Sequence, residues 1–146
     1  MRPQPWQVRS SRLVLDEPWF RVRVESVELP DGTIVDDYYV AERSDFALVA
    51  AVTPSDELVL VRQWKQGIRA VTLELPGGIV EAEEPAAAAA RELLEETGYA
   101  CDELLALGAG PLDPSKETNR VHLFAGTGRG RSAARSSTRP RRSRSC

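Results

Sequence analysis

The sequence predicts an α+β fold in which strands precede and follow a single helix. Residues 19–28 alternate between apolar and polar side chains, as a half-buried strand does. Residues 46–52 form a continuous apolar run, which is typical of a strand buried on both faces. Residues 85–98 open with proline, continue with five alanines and end with glycine, which favours a helix. This order of elements suits a layered α+β architecture.

The remaining strands are predicted from apolar segments bounded by turns. A Pro-Asp-Gly-Thr turn at residues 30–33 reverses the chain and predicts a hairpin. Asp56 and Glu57 mark a second turn. The predicted strands are, in order, 12–15, 19–28, 34–40, 46–52, 58–64, 71–75, 104–107 and 121–125.

The predicted helix has local signals at both of its ends. Pro85 suits the first helical turn, where its missing N–H group costs no helical hydrogen bond. The alanines at 86–90 are the strongest helix formers, and Gly98 is a typical C-terminal stop. We therefore expect the helix to begin at Pro85 and to end at Gly98.

Three glutamates share one face of this helix. Glu92, Glu95 and Glu96 are spaced i, i+3 and i+4, so their carboxylates lie close together and repel one another. We expect a positive partner to compensate, and oxygen ligands of this kind suit Mg²⁺ or Mn²⁺. The alternative is a solvated acidic helix face without a ligand.

The spacing around these glutamates resembles the Nudix box. The box is glycine, five residues, glutamate, seven residues, Arg-Glu, an aliphatic residue, one residue, Glu-Glu, one residue and glycine. Tyr99 follows the last glycine, where an aliphatic residue is usual and where tyrosine is common in the ADP-ribose pyrophosphatase branch. The residues that fill the box are Gly77, Glu83, Arg91, Glu92, Leu93, Glu95, Glu96 and Gly98.

Other segments are similar to the ADP-ribose pyrophosphatase branch of the Nudix hydrolase superfamily. The sequence Arg-Gln-Trp-Lys at 62–65 stands where that branch usually has Arg-Gln-Tyr-Arg. Pro114 lies sixteen residues after Gly98, where the ADP-ribose group has a proline. Residues 119–124 resemble the strand after the catalytic loop. The resemblance covers residues 10–125 and implies a Nudix α/β/α sandwich with a mixed sheet.

The C-terminal tail departs from this resemblance. The family continues beyond residue 125 with a further strand and a closing helix, which the sequence lacks. Residues 126–146 contain seven arginines, no acidic residue and no aliphatic side chain larger than alanine, so they bury too little apolar surface to become ordered. We expect a truncated Nudix domain at 1–125 and a disordered Arg/Ser-rich tail at 126–146. A shifted reading frame in a GC-rich gene would explain the change in composition.

The resemblance implies a metal site built from the box. Glu92 and Glu96 are the expected principal ligands. Glu95 is expected as a further ligand or as a supporting carboxylate. One backbone carbonyl, from Pro76 or from Gly77, is expected to join them. The expected metal-site residues are Glu92, Glu96, Glu95, Gly77 and Glu83, with Mg²⁺ or Mn²⁺ as the cofactor.

Three residues have expected catalytic roles. Arg91 is expected to orient the carboxylates, since it is four residues from Glu95, and Glu83 either joins the ligands or holds Arg91. A general base in this branch often comes from a glutamate in the loop after the box helix, and Glu117 is the candidate. The alternative for Glu117 is an exposed loop acid. The catalytic set is therefore Glu95, Glu117 and Arg91.

The resemblance also implies residues that bind the substrate. Arg62 is the candidate for a phosphate contact, with an ordinary surface strand residue as the alternative. An aromatic ring is expected to stack on adenine, and the candidates are Trp19, Phe20 and Tyr39. In the ADP-ribose branch such aromatics often act across a dimer, which makes a homodimer an expectation here. The alternative for each aromatic is a place in the core.

The resemblance implies an enzyme that hydrolyses a pyrophosphate bond. The expected reaction converts ADP-ribose to AMP and ribose 5-phosphate with Mg²⁺ or Mn²⁺. One alternative is a Nudix hydrolase for an ADP-sugar, a dinucleotide or coenzyme A. Another is a catalytically impaired Nudix binding module. A third alternative is that the basic tail binds nucleic acid. Against it, no aromatic residue that could stack on a base lies between the arginines.

Composition and charge limit the kinds of molecule that the protein is expected to bind and the cell compartment in which it is expected to work. The net charge is −3, but residues outside the tail carry 12 basic against 22 acidic side chains, which argues against nucleic acid as the main partner. Two cysteines and one histidine give no disulfide framework and no thiolate or histidine metal site. No apolar run reaches a membrane-spanning length and the N-terminus lacks a signal-peptide core, so we expect a cytoplasmic protein.

Overall fold

The computed structural model describes residues 2–129 of the chain. These residues form two compact units. The first contains 2–43 and 111–119, and the second contains 44–110 and 120–129. The strands are β1 (Gln7–Glu17), β2 (Phe20–Glu28), β3 (Ile34–Glu42), β4 (Phe46–Val52), β5 (Val61–Lys65), β6 (Ala70–Glu74), β7 (Gly77–Ile79), β8 (Ala100–Cys101), β9 (Leu105–Pro111) and β10 (Arg120–Arg129). The helix is α1 (Pro85–Thr97).

The first unit is an antiparallel sheet in the order β1-β2-β3. The predicted turn between β2 and β3 is present, and Gly32 adopts φ 84°, a backbone conformation that glycine accommodates without strain. Residues 116–118, in the loop between β9 and β10, extend this sheet along β3. The Ala41 N–H donates to the Lys116 carbonyl at 2.7 Å, and the Thr118 N–H donates to the Ala41 carbonyl at 3.1 Å.

The second unit is built on a mixed sheet in the order β7-β4-β10-β8, with β9 paired to β10. β4 is antiparallel to β7 and parallel to β10. The mixed sheet that the resemblance implied is therefore confirmed. β5 and β6 form a separate antiparallel hairpin.

Helix α1 packs its small residues against β4. Pro85 occupies the first turn, and Gly98 ends the helix with φ 74° while its N–H donates to the Leu94 carbonyl. The helix bounds predicted from these two residues are confirmed. The fully buried side chains of this interface are Ala88, Ala89 and Leu93 on the helix and Ala47, Val49 and Ala51 on β4.

The sheet of the second unit differs from the sequence prediction in the burial of β4 and in two short strands that were not predicted, β7 and β8. The prediction that β4 is buried on both faces is wrong: burial is complete only for its odd-numbered residues, and Val52 is exposed. In the described residues, α1 covers one face of β4 and no second helix covers the other. Strand β7 was not predicted, since two of its three residues are glycine.

Asp45 connects three strands at the start of β4. Its carbonyl accepts the Val80 N–H beyond β7 at 2.9 Å, and its carboxylate accepts the Arg120 N–H at 2.9 Å. The same carboxylate lies 2.8 Å from His122 Nε2 in β10. The hydrogen bond to His122 is the main cause that lowers the pKa of Asp45 below its ordinary value. The sequence expectation that His122 is a strand residue is confirmed.

Asp45→Asn should lower the urea midpoint of unfolding at pH 7. A carboxyl whose pKa is lower in the folded state stabilises the fold above its unfolded pKa, and this contribution is lost as the pH falls through the folded pKa. The difference between the two proteins should therefore begin to shrink below about pH 4, the pKa of an unfolded aspartate, and vanish only once the pH has fallen below the lower folded pKa. Asp37→Asn, at an exposed aspartate of β3, is the matched control. A midpoint difference that does not shrink as the pH falls below about 4 would contradict this assignment.

The predicted domain end at residue 125 falls inside a strand. β10 continues to Arg129, and Gly128 pairs with Cys101 of β8. The rest of the predicted tail, 130–146, lies outside the described residues. Over the part of the chain that the structure describes, no helix is long and apolar enough to cross a membrane.

Candidate active site

Arg91 lies at the centre of the acidic cluster on α1. Its Nε and Nη2 atoms donate to Glu83 Oε1 at 3.0 and 2.8 Å, and Nη1 donates to Glu92 Oε1 at 2.6 Å. Nη1 also lies 3.6 Å from Glu95 Oε2, one helical turn away. The carboxylates, Glu83 first and then Glu92, raise the pKa of the guanidinium above its ordinary value. Arg91 is thus the positive partner that the sequence spacing required.

Arg91 also connects the helix to the preceding loop. Its Nη2 donates to the Ile79 carbonyl at the end of β7 at 3.2 Å. Glu83 comes from the loop before the helix and holds the guanidinium through two donors. Glu83 was expected either to join the metal ligands or to hold Arg91, and the structure shows it in contact with Arg91.

Glu96 is held on both of its carboxylate oxygens. The Gly77 N–H donates to Oε2 at 3.0 Å, and Gln63 Nε2 donates to Oε1 at 2.5 Å. Gln63 is a residue that sequence reasoning did not select. Its only signal was its place inside the Arg-Gln-Trp-Lys segment at 62–65.

The two glycines of β7 allow the helix carboxylates to approach the strand backbone. A Cβ atom on Gly78 would lie 2.3 Å from Cδ of Glu92, so only glycine leaves room for this carboxylate. Gly77 pairs with Leu48, and the neighbouring pair joins the Val49 N–H to the Pro76 carbonyl at 3.0 Å. Gly77 is therefore in a non-hydrogen-bonded pair, with its N–H and carbonyl directed away from β4.

This pairing favours Gly77 over Pro76 as the carbonyl ligand. The Pro76 carbonyl already accepts a ladder hydrogen bond, whereas the Gly77 carbonyl lies on the same side of the strand as the N–H that meets Glu96. The sequence left these two alternatives open. The site thus brings together Glu92, Glu96 and the Gly77 backbone.

The donor set fits a hard divalent cation. Carboxylate and carbonyl oxygens are the ligands that Mg²⁺ and Mn²⁺ prefer, and the glycine cradle lets them converge. Within residues 2–129 no group of three or more acidic, histidine or cysteine side chains is arranged closely enough to hold an ion. Arg91 holds Glu83 and Glu92 through hydrogen bonds, and N–H donors hold Glu96.

An open groove of about 550 Å³ runs beside Glu96. Arg62 lines this groove with an exposed side chain, so the residue predicted to bind phosphate and a predicted metal ligand line the same groove. Other lining residues include Gln63, Thr97 and Tyr99. The groove and the acidic cluster belong to the same compact unit.

The predicted adenine-binding aromatics lie in the first unit and are not core residues. Trp19 is 56% exposed, Tyr39 is 55% exposed and Phe20 is 39% exposed. The guanidinium carbon of Arg43 lies 5.9 Å from the centre of the Phe20 ring. None of these three aromatic side chains is therefore a buried core residue, which was the alternative to adenine binding.

Glu117 is half-buried in the first unit rather than an exposed loop acid. Its Oε1 accepts a hydrogen bond from Arg43 Nη1 at 3.2 Å. Its Oε2 is buried without a hydrogen-bond partner in the described residues, and so is Oδ1 of Asn119, which is 5% exposed. Most buried polar atoms in proteins have a hydrogen-bond partner, so two buried oxygens without one make this loop a candidate binding or catalytic position. Sequence reasoning did not select Asn119.

Two family models match the chain. The model of the NUDIX domain matches residues 43–140, and the model of the nucleoside diphosphate sugar hydrolase N-terminal domain matches residues 6–41. The first match includes α1, β7 and the groove. The second covers the sheet formed by β1, β2 and β3.

Known proteins are similar to the chain over much of its length. A methanol dehydrogenase activator from Bacillus methanolicus is 31% identical over 123 residues, which cover 84% of this chain and 63% of that protein. An ADP-ribose pyrophosphatase from Bacillus subtilis (strain 168) is 34% identical over 102 residues, covering 69% of this chain and 55% of that protein. The chain thus spans less than two thirds of the length of these relatives.

A solved structure shares the fold. The crystal structure of an ADP compounds hydrolase superposes with a TM-score of 0.77 and 22% sequence identity. The match covers 96% of this chain and 77% of that chain.

Proposed function

Because the chain belongs to the Nudix family, we propose that it hydrolyses ADP-ribose to AMP and ribose 5-phosphate. Water attacks one phosphorus of the pyrophosphate and forms a new P–O bond, the P–O bond from that phosphorus to the bridging oxygen breaks, and both halves leave as phosphomonoesters. The observation that carries this proposal is the convergence of Glu92 and Glu96 on the glycine backbone of β7. Similarity to an ADP-ribose pyrophosphatase supports the choice of substrate.

The acidic cluster is proposed to hold Mg²⁺ or Mn²⁺. We assign Glu92 and Glu96 as principal ligands, together with the Gly77 carbonyl, and Glu95 as a further or supporting carboxylate. When bound, the cation neutralises charge on the phosphate oxygens and lowers the pKa of the attacking water. Arg91 keeps the carboxylates together through its contacts with Glu83, Glu92 and Glu95, because it offsets their mutual repulsion.

Other residues bind the substrate and move the proton. Arg62, in the groove beside Glu96, is proposed to donate hydrogen bonds to a phosphate oxygen. Glu117 is proposed as the general base, and its buried Oε2 without a hydrogen-bond partner in residues 2–129 supports this role. The exposed rings of Trp19, Phe20 and Tyr39 are proposed to stack on adenine.

The test is a panel of nucleoside diphosphate derivatives with released phosphomonoesters as the readout. ADP-ribose, an ADP-sugar, a dinucleotide and coenzyme A should be compared at equal concentration with Mg²⁺ and with Mn²⁺. We expect ADP-ribose to give the highest kcat/KM, and we expect a chelator to abolish turnover and added metal to restore it. Robust turnover in the presence of the chelator would contradict the metal-dependent mechanism.

The outcomes of this panel separate the alternatives. A much higher kcat/KM for another member of the panel would change the substrate and leave the reaction class intact. Binding of ADP-ribose without turnover of any compound would instead indicate a catalytically impaired binding module.

A further inference from the structure

A chain of polar contacts runs from Glu96 along the β5–β6 hairpin. Gln63 Nε2 donates to Glu96 Oε1, and Lys65 Nζ donates to Gln63 Oε1 at 2.9 Å. Lys65 Nζ also lies 2.7 Å from Glu74 Oε2. Thr72 Oγ1 donates to the other oxygen of Glu74 at 2.6 Å. Every contact in this chain lies within one compact unit.

The strand register explains why these side chains meet. Gln63 pairs with Thr72 across the hairpin, and residues two apart in a strand share a face, so Lys65 and Glu74 join them. These four residues are all half-buried. Residues on the opposite face of the hairpin, such as Trp64 and Val71, are exposed. The hairpin therefore presents a polar face towards Glu96.

Lys65 reinforces the orientation of the Gln63 amide that the acceptor-only carboxylate of Glu96 also requires. An amide presents an oxygen acceptor on one side and an NH₂ donor on the other. The lysine ammonium can only donate, so the oxygen of Gln63 must face Lys65. The NH₂ group must then face the carboxylate of Glu96. Contact with Glu74 in turn holds the ammonium of Lys65 in place.

We propose that Gln63 is a positioning residue that fixes the Glu96 carboxylate for a divalent cation, and that Lys65 reinforces the orientation of the Gln63 amide. The Gly77 N–H holds the second oxygen of Glu96. Each carboxylate oxygen has a second lone pair, so both hydrogen bonds leave electrons for a cation. This inference rests on the proposed role of Glu96 as a metal ligand.

The first test measures Mn²⁺ binding to the free protein by electron paramagnetic resonance, with Mn²⁺ as the only ligand. Gln63→Leu removes the donor at similar volume and should raise the Kd by about 10-fold, since residues that support metal ligands typically contribute that much to affinity. Gln66→Leu is the matched control, because Gln66 contacts Trp64 in the same hairpin rather than Glu96. It should bind Mn²⁺ as the wild type does.

The second test asks whether Lys65 acts through Gln63. Lys65→Met should weaken Mn²⁺ binding several-fold in the wild-type background and have almost no effect in the Gln63→Leu background. An equal effect in both backgrounds would overturn the role of Lys65, because it would show that the lysine charge acts independently of the amide. Melting curves of each variant check that the hairpin remains folded.

A third readout requires no metal. The side-chain amide signals of Gln63 in a ¹⁵N NMR spectrum should move strongly in Glu96→Gln, while those of Gln66 should stay in place. Unmoved Gln63 signals would contradict the contact with Glu96.

Failure of this inference differs from failure of the proposed function. If Glu96→Gln loses Mn²⁺ affinity but Gln63→Leu retains it, the positioning role is wrong and the metal site stands. If Glu96→Gln binds Mn²⁺ like the wild type, the ligand assignment falls, and the positioning role falls with it.

Discussion

Replacing Glu96 with glutamine should lower kcat by roughly 10²-fold or more, because loss of a metal ligand forfeits several kcal/mol of transition-state stabilisation. The change removes one charge and preserves the shape of the side chain. The glutamine oxygen can still accept the Gly77 N–H that now meets Glu96 Oε2. Gln63 Nε2 loses its acceptor in this variant, and the relief of repulsion with Glu92 opposes that loss, so the fold should be retained with a melting temperature close to that of the wild type without metal.

The measurement is kcat with saturating ADP-ribose and Mg²⁺, beside a circular dichroism melt. Glu84→Gln is the matched control, because Glu84 is exposed at the start of the same helix and its side chain makes no capping hydrogen bond. It should retain wild-type kcat. A Glu96→Gln enzyme with near-wild-type kcat would place the metal elsewhere.

Gly77→Ala should destabilise the fold by about 3 kcal/mol, at the upper end of what overpacking usually costs. The new Cβ would lie 2.2 Å from the backbone oxygen of Ala47 and 3.0 Å from Cα of Leu48. Backbone atoms cannot move aside as a side chain can, so β7 would have to separate from β4. Urea unfolding measures the loss.

Gly78→Ala is the comparison that separates stability from activity. The three atoms nearest to its Cβ would all belong to the carboxylate end of Glu92, which can rotate away. Stability should fall less than in Gly77→Ala, whereas kcat should fall strongly because Glu92 is displaced. Equal stability of Gly77→Ala and the wild type would show that β7 does not pair with β4 as described.

Local signals in the sequence located the helix but not every strand. Pro85 and Gly98 mark the helix ends because they act on the backbone of their own neighbours. Strand β7 has only three residues, and its two glycines disfavour a strand, so it exists through pairing with β4. Burial of β4 on both faces could not be settled from its apolar composition, because burial depends on which elements cover each face.

The same distinction holds for the site. Glu92, Glu95 and Glu96 were predictable, since helical spacing alone places them together. Gln63 reaches Glu96 across 33 residues of sequence, and Asp45 reaches His122 across 77. These contacts come from tertiary packing, and no local pattern around either residue indicates its partner.

The parallel pairing of β4 with β10 has a consequence for how the chain folds during synthesis. Phe46 pairs with Val121, so a central strand obtains one of its two neighbours only after all the residues between them have been synthesised. Contacts between residues so distant in sequence form slowly, because a long loop must close first. Until then β4 presents an apolar, unpaired edge that is prone to aggregation. The yield of folded protein in cells should therefore fall as the time during which this edge of β4 is unpaired increases.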